Sequence, residues 1–209
     1  MQQYSLKFPL QQSYSCEDYI VTEANREAHQ LIMLKQPWGV TPYPYHLLLI
    51  GPKSSGKTHL AHLWSQKYGL AFIQPGETHG CIIDDVELWH EHDLLHLFNQ
   101  FHEEHKPLLM TAKSKPSFNL PDLQSRMNSI RVVHLTMPDE EMIMVLLMRY
   151  LSVRSLKVSG EVVEYLASRI KRDFDFIRLF IEQLDAYSLD TGRNITIPLI
   201  SKLLNNFDE

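Results

Sequence analysis

The sequence predicts the α/β class: a P-loop parallel-sheet core followed by a small all-α lid. Three observations carry that prediction. Over the first two-thirds, short apolar runs alternate with segments of helical period, the pattern of a parallel sheet covered by helices. A Gly-Lys-Thr loop stands directly between one such run and one such helix. Beyond Pro138 the apolar runs stop and only helical periodicity remains.

In chain order, residues 1–17 are polar, Gln-rich and aperiodic, and read as a tail; residues 18–137 read as the α/β domain and 138–209 as the lid. A helical pattern runs from about Asn25 to Lys35. Pro37, Pro42 and Pro44 then force an extended connection. His46 to Ile50 suits a strand buried on both faces. Thr58 to Tyr68 spaces Leu60, Leu63, Trp64 and Lys67 as a helix, with Gly69 as its C-cap. Leu70 to Ile73 and Cys81 to Ile83 read as strands. Asp93 to His102 puts Leu94, Leu97, Phe98 and Phe101 on one helical face. Leu108 to Thr111 and Arg131 to Leu135 complete the sheet. In the lid, Pro138 suits a first helical turn whose positive end favours Asp139, Glu140 and Glu141. The apolar stripe there is Met142, Val145, Leu146, the Arg149 stem and Tyr150. Ser159 is placed to cap a second helix carrying Val162, Leu166 and Ile170. A third helix runs from about Phe174 to Leu189, and Pro198 opens a fourth.

The 209 residues carry 20 Lys+Arg against 25 Asp+Glu, a formal net charge of −5, with 44% hydrophobic and 22% charged residues. That balance suits a soluble globular protein. It argues against binding nucleic acid through bulk charge, which needs surplus cations, so contact with DNA is expected only indirectly. No run of 18 apolar residues offers a membrane span. The leading segment MQQYSLKFPLQQSYS lacks the apolar stretch of a signal peptide. Two cysteines, Cys16 and Cys81, cannot build a disulfide framework, and the expected compartment is a reducing cytoplasm. Cys81 reads as a small buried hydrophobe.

Gly51-Pro52-Lys53-Ser54-Ser55-Gly56-Lys57-Thr58 fits the pattern GxxxxGK[ST] in full. Its backbone N–H groups and the following helix N-terminus make a concave positive site for phosphate oxygens. Gly56 lets the backbone approach closely, Lys57 can reach the outer phosphates, and the Thr58 hydroxyl can ligate Mg2+. His59 follows on the same helix turn as a further nucleotide contact. The implied cofactors are ATP or ADP with Mg2+. The competing reading is a Gly-Ser surface loop in which Lys57-Thr58 is coincidence. Cys81-Ile82-Ile83-Asp84-Asp85 is an apolar strand ending in two carboxylates. Asp84 is the candidate Mg2+ ligand, since a hard cation prefers oxygen donors. Asp85 would lie nearer the outermost phosphate and polarise an attacking water. Paired acids can also simply mark a strand end, a reading that weakens with the loop upstream.

A P-loop, a carboxylate-ended strand, one more strand and an all-helical lid resemble an AAA+ ATPase. From about Ser15 to Leu204 the chain resembles the nucleotide-binding core of the DnaA initiator. The segments YSCEDYIVTEANREAHQLI, GPKSSGKTHLAHLW, CIIDD, LPDLQSRM and FDFIRLFIEQLD follow that family's landmarks in order. The family carries a further helix-turn-helix domain after the lid, for which no residues are expected here. The truncated relatives are the Hda group, regulatory inactivators of DnaA that bind nucleotide, dock on the DNA sliding clamp and stimulate the initiator's ATP hydrolysis. The resemblance therefore implies the initiator and the sliding clamp as partners, with a second copy of the chain as a further candidate. Competing functions are a self-sufficient DnaA-related ATPase acting as a loader or remodelling factor, and a P-loop kinase, against which the helical lid argues.

The resemblance also assigns residues. Gln3, Leu6 and Phe8 in QYSLKF resemble a clamp-binding peptide: two apolar anchors and an amide that fixes register. An N-terminal strand or a disordered tail competes with that reading. Arg126 matches the family's arginine finger, which completes a neighbour's ATP site and stabilises charge building on the terminal phosphate; by itself it reads as a helix-end arginine in a surface ion pair. Arg178 matches the lid arginine that reaches the phosphates, where a snorkelling surface residue is the plainer reading. Tyr19, Ile20 and Val21 match the segment lining the adenine pocket and would serve equally as core. Two departures matter. Lys113 stands where the family usually has Asp or Asn; a lysine cannot accept a hydrogen bond from an attacking water, so weak intrinsic hydrolysis is implied. Met127-Asn128-Ser129-Ile130 lacks the usual aromatic and Gly. Finally, 11 histidines include His92 and His96 at a metal-binding i, i+4 spacing. The wet face of a helix, gaining charge as pH falls, is the favoured account of them.

Overall fold

The computed structural model describes residue 14 and residues 19–34, 36–77, 79–191 and 194–207. The chain divides into two compact units, whose main segments are Tyr14–Met137 and Pro138–Glu209.

In the first unit, β1 (His46–Ile50), β2 (Ile82–Ile83), β3 (Leu108–Ala112) and β4 (Arg131–His134) form a parallel sheet in the order β2-β3-β1-β4. Leu48 of β1 lies opposite Met110 on one side and Val132 on the other. Every residue of β1 and β3 is buried, as central strands covered on both faces require. Successive β1 residues alternate between two apolar cores. Leu47 and Leu49 pack with Ile32 of α1 (Arg26–Met33) and with Leu60, Leu63 and Trp64 of α2 (Lys57–Tyr68). Leu48 and Ile50 pack with Leu97 and Phe98 of α3 (Glu91–Glu103) and with Leu123 of α4 (Pro121–Met127). Trp64 meets Trp38 at 5.3 Å between ring centroids, and Trp38 Nε1 donates to Leu31 O at 3.1 Å. His46 is fully buried, 4.3 Å from the Phe98 ring and with Nε2 3.2 Å from Phe98 O; burial pushes its pKa down to about 4.

Two local expectations change, and one helix is added. Leu70–Ile73 is no full strand: Phe72 makes a single parallel bridge to Ile82, and Ile73 N donates to Ile82 O at 2.8 Å. The run is too short to sustain a ladder once the chain turns through Pro75 and Gly76. α4 is a helix too brief to show a period. Its start is fixed from outside by Glu91, whose carboxylate accepts from Asn119 N at 2.9 Å and Leu120 N at 2.8 Å. Cys81 is only half-buried, and burial raises its thiol pKa.

The second unit holds α5 (Glu140–Val153), α6 (Gly160–Ala167), α7 (Phe174–Thr191) and α8 (Ile197–Phe207). Its core includes Leu147, Leu166, Ile177, Phe180, Ile181, Leu184 and Ile200. Pro138 stands outside the first turn; Asp139 is the N-cap, its carboxylate accepting from Met142 N at 2.7 Å. The buried face of α5 is Met142, Ile143, Leu146, Leu147 and Leu151, so Val145 is solvent-exposed. Ser159 occupies the α6 N-cap without a side-chain bond. Ile170 is buried beyond the end of α6. Among the described residues no helix is long and apolar enough to cross a membrane.

Candidate nucleotide site

The site forms where parallel strands end and a helix begins, the usual ligand position in open α/β sheets. β1 delivers the chain to Gly51, whose N–H donates to Ala112 O at 3.1 Å at the end of β3. A Cβ on Gly51 would stand 2.6 Å from Ser55 Oγ and 2.7 Å from Leu135 O, so only glycine fits. The loop then turns through two left-handed residues, Ser54 (φ 59°) and Gly56 (φ 91°), before α2 opens at Lys57. That turn leaves Gly56 as the N-cap with no side chain above the first turn of α2. Pro52 and Lys53 are exposed at the loop's crest.

Lys57 is almost fully buried and folds back on its own loop, donating from Nζ to Gly51 O at 2.7 Å and Pro52 O at 2.8 Å. Burial lowers its pKa, while Asp85, Asp84 and Glu87 act to raise it. The ammonium is therefore held by neutral carbonyls inside a ring of carboxylates, ready for exchange to a stronger anion. Ser55 Oγ is buried with no hydrogen-bond partner among the described residues.

β2 runs straight into Asp84. Thr58 Oγ1 donates to Asp84 Oδ2 at 3.0 Å, and Thr111 Oγ1 donates to Asp84 Oδ1 at 2.5 Å. Asp85 is left-handed (φ 49°), and its N–H donates to the same Thr111 Oγ1 at 2.9 Å. Thr111 thus clasps both acids to the end of β3. Lys113 N donates to Glu87 Oε1, and Lys113 Nζ lies 3.5 Å from Asp85 Oδ2. The pairing of a hydroxyl and a carboxylate at the helix start suits Mg2+, whose remaining ligands can be water and phosphate oxygens. Among the described residues no three His, Cys, Asp or Glu side chains converge on a metal position, His92 and His96 included.

Of the expected adenine-pocket trio, Tyr19 alone is seated against the loop. Its Cε2 would be 3.5 Å from a Cβ on Gly56, and its ring meets His59 edge-on at 5.1 Å and stacks on His29 at 5.6 Å. Burial drives its phenol pKa far above the usual range. Ile20 is half-buried and Val21 is exposed. Arg126, in α4, is about one-quarter exposed; Nη1 donates to Tyr43 Oη at 2.9 Å and Nη2 to Asp122 Oδ2 at 3.1 Å. Arg178, in the lid unit, pairs with Glu182 at 3.2 Å and Asp175 at 4.0 Å. Glu182 is shared with Arg154, which also binds Asp185 at 2.6 Å. Gln3, Leu6 and Phe8 lie outside the described residues.

Two contributors escape a reading of the sequence. Thr111 carries a signal, a hydroxyl within the otherwise apolar LLMTA, which once buried must find a partner. Tyr43 carries none: it reaches Arg126 across 83 positions, with its ring set edge-on to Phe98 at 4.9 Å and His102 at 4.8 Å.

Residues 139–204 match the family described as "Hda, lid domain". Among solved structures, domain III of the Thermotoga maritima replication initiation protein DnaA is similar with a TM-score of 0.75. It is 22% identical, covering 96% of this chain and 99% of that one. AMPPCP-bound DnaA from Aquifex aeolicus is similar with a TM-score of 0.67 at 19% identity, over 87% of this chain and 68% of that one. An uncharacterized protein of Haemophilus influenzae is 29% identical over 201 residues, covering 82% of this chain and 83% of the relative. The chain thus joins a parallel four-stranded core of the DnaA domain III fold to a lid segment, residues 139–204, that matches the Hda lid family.

Proposed function

We propose that the chain is a nucleotide-bound regulator of replication initiation. In this reading it docks on the DNA sliding clamp and stimulates ATP hydrolysis by the DnaA initiator, preventing re-initiation in the cytoplasm. The observation that carries the reading is the Hda-type lid over residues 139–204 following a P-loop core of the DnaA fold. That an initiator of this fold holds AMPPCP supports ATP or ADP as the ligand here.

The residues have separable tasks. The loop N–H groups and Lys57 hold the phosphates, the ammonium leaving the Gly51 and Pro52 carbonyls for phosphate oxygens. Thr58 and Asp84 hold Mg2+, which neutralises phosphate charge when bound. Tyr19 and His59 supply the aromatic wall for the base side of the nucleotide. Arg178 serves the phosphates from the lid. Asp85 is placed to take a proton from water. Arg126 acts outside its own subunit, its guanidinium stabilising charge in the initiator's site. Gln3, Leu6 and Phe8 tether the molecule to the clamp, so that DNA is reached through the clamp.

The test is a mixture of clamp on DNA, ATP-loaded initiator and this protein, assayed for ADP release with each part omitted in turn. Full release requires all three. Arg126→Ala is expected to lower release by a factor of at least about 10³, the low end for an arginine supplied in trans, while calorimetric nucleotide binding is retained. Stimulation by the Arg126→Ala protein equal to the parent's would refute the assigned role.

A further inference from the structure

We propose that Lys113 masks Asp85, so that this chain's own ATP turnover is slowed and a single substitution relieves the slowing. The proposal rests on the reading that the P-loop site binds ATP. Four carboxylate and ammonium groups besides Lys57 bear on the site: Asp84, Asp85, Glu87 and Lys113. Asp84 is spent, with Thr111 on one oxygen and Thr58 on the other. Glu87 accepts from the Lys113 N–H, and Asp85, the candidate to accept a proton, is the acid that the Lys113 ammonium meets, at 3.5 Å.

The pairing is built into the backbone and is no chance meeting of two long side chains. Asp85 is fixed by its own N–H on Thr111 and by its left-handed conformation. Lys113 is fixed by its N–H on the Glu87 carboxylate. Thr111 and Lys113 are two apart at the end of β3, so the ends of β2 and β3 present acid and ammonium to each other whenever the sheet is formed. Hydrolysis needs a water whose proton passes to Asp85 as its oxygen bonds to the terminal phosphorus of ATP; the bond from that phosphorus to the bridging oxygen breaks and ADP departs. An ammonium on Asp85 Oδ2 takes the position where that water must donate, and offers no acceptor in return.

Both groups are partly exposed, which limits what the mask is worth. A surface pair contributes at most about a fivefold bias in occupancy. Lys113→Met should therefore raise single-turnover ATP hydrolysis by the chain alone about fivefold. Lys113→Asn should raise it further by adding an acceptor for the water, and Lys113→Arg should stay at the parent's rate. Adding Asp85→Asn to Lys113→Met should abolish the gain. The measurement is phosphate release from ATP with Mg2+ by purified full-length chain, with ATP affinity by calorimetry and thermal unfolding run on every variant. A Lys113→Met protein that binds ATP, melts like the parent and turns over no faster overturns the mask, as does a gain that survives Asp85→Asn. A parent chain with no ATP affinity overturns the nucleotide reading and the mask with it, while ATP binding with unchanged turnover overturns the mask alone.

Discussion

Thr111→Val removes one oxygen from a fully buried position and keeps the shape of the side chain. Two bonds go with it: the 2.5 Å donation to Asp84 and the 2.9 Å acceptance from Asp85 N–H. A hydrogen bond to a charged group is worth about 1.5–3 kcal/mol, and an N–H left without a partner costs about 1–3 kcal/mol where water cannot reach it. Asp84 keeps the Thr58 hydroxyl, and the valine methyl returns about 1 kcal/mol of apolar burial. The net expectation is a loss of about 2–3 kcal/mol, or roughly 10 °C in melting temperature for a unit of this size. The assay is urea unfolding of parent, Thr111→Val and Thr111→Ser, since serine keeps both bonds and gives up only a methyl, about 1 kcal/mol. Equal stability of Thr111→Val and parent, within about 0.5 kcal/mol at unchanged m, would refute the reasoning that Thr111 clasps the two acids.

Two further outcomes follow from the site and its core. His46 has a folded-state pKa of about 4 because it is buried, below the value of about 6.5 expected when unfolded. Protons are then bound preferentially by the unfolded chain, and stability falls as pH drops from about 6.5 toward 4, by about 2 kcal/mol at pH 5; His46→Gln, which keeps a donor for Phe98 O, should flatten the pH profile of urea midpoints. Lys57→Ala should weaken ATP binding at least about tenfold, since it removes a charge-assisted bond to phosphate; equal calorimetric affinity contradicts the role given to the loop.

The local part of the site was legible because its cause is local. Eight consecutive residues contain the loop, and the strand and helix on either side are set by adjacent apolar periodicity. The acids at Asp84 and Asp85 were legible for the same reason. Their clasp was not, because Thr111 joins them only when β2 pairs with β3. The Tyr43–Arg126 bond was beyond reach in kind, being a product of tertiary packing around Phe98. α4 was hidden because seven residues give less than two full turns of periodicity, and its start depends on a distant glutamate. The stripe expected on α5 differs at Val145 because all six residues from Met142 to Leu147 are apolar, and only packing chooses the buried side.

The indole pair of Trp38 and Trp64 gives the molecule an optical label where it is most useful. Trp64 rides on the same helix that Lys57 and Thr58 open, so emission from that ring tracks the helix without any dye attached. All three tryptophans (the third is Trp89) lie before Met137, and the lid is dark at that wavelength. Tryptophan emission and far-ultraviolet dichroism therefore watch different sets of residues during denaturation. Superimposable curves would mean that the halves melt in concert, and a gap between them would measure how far the lid holds its own.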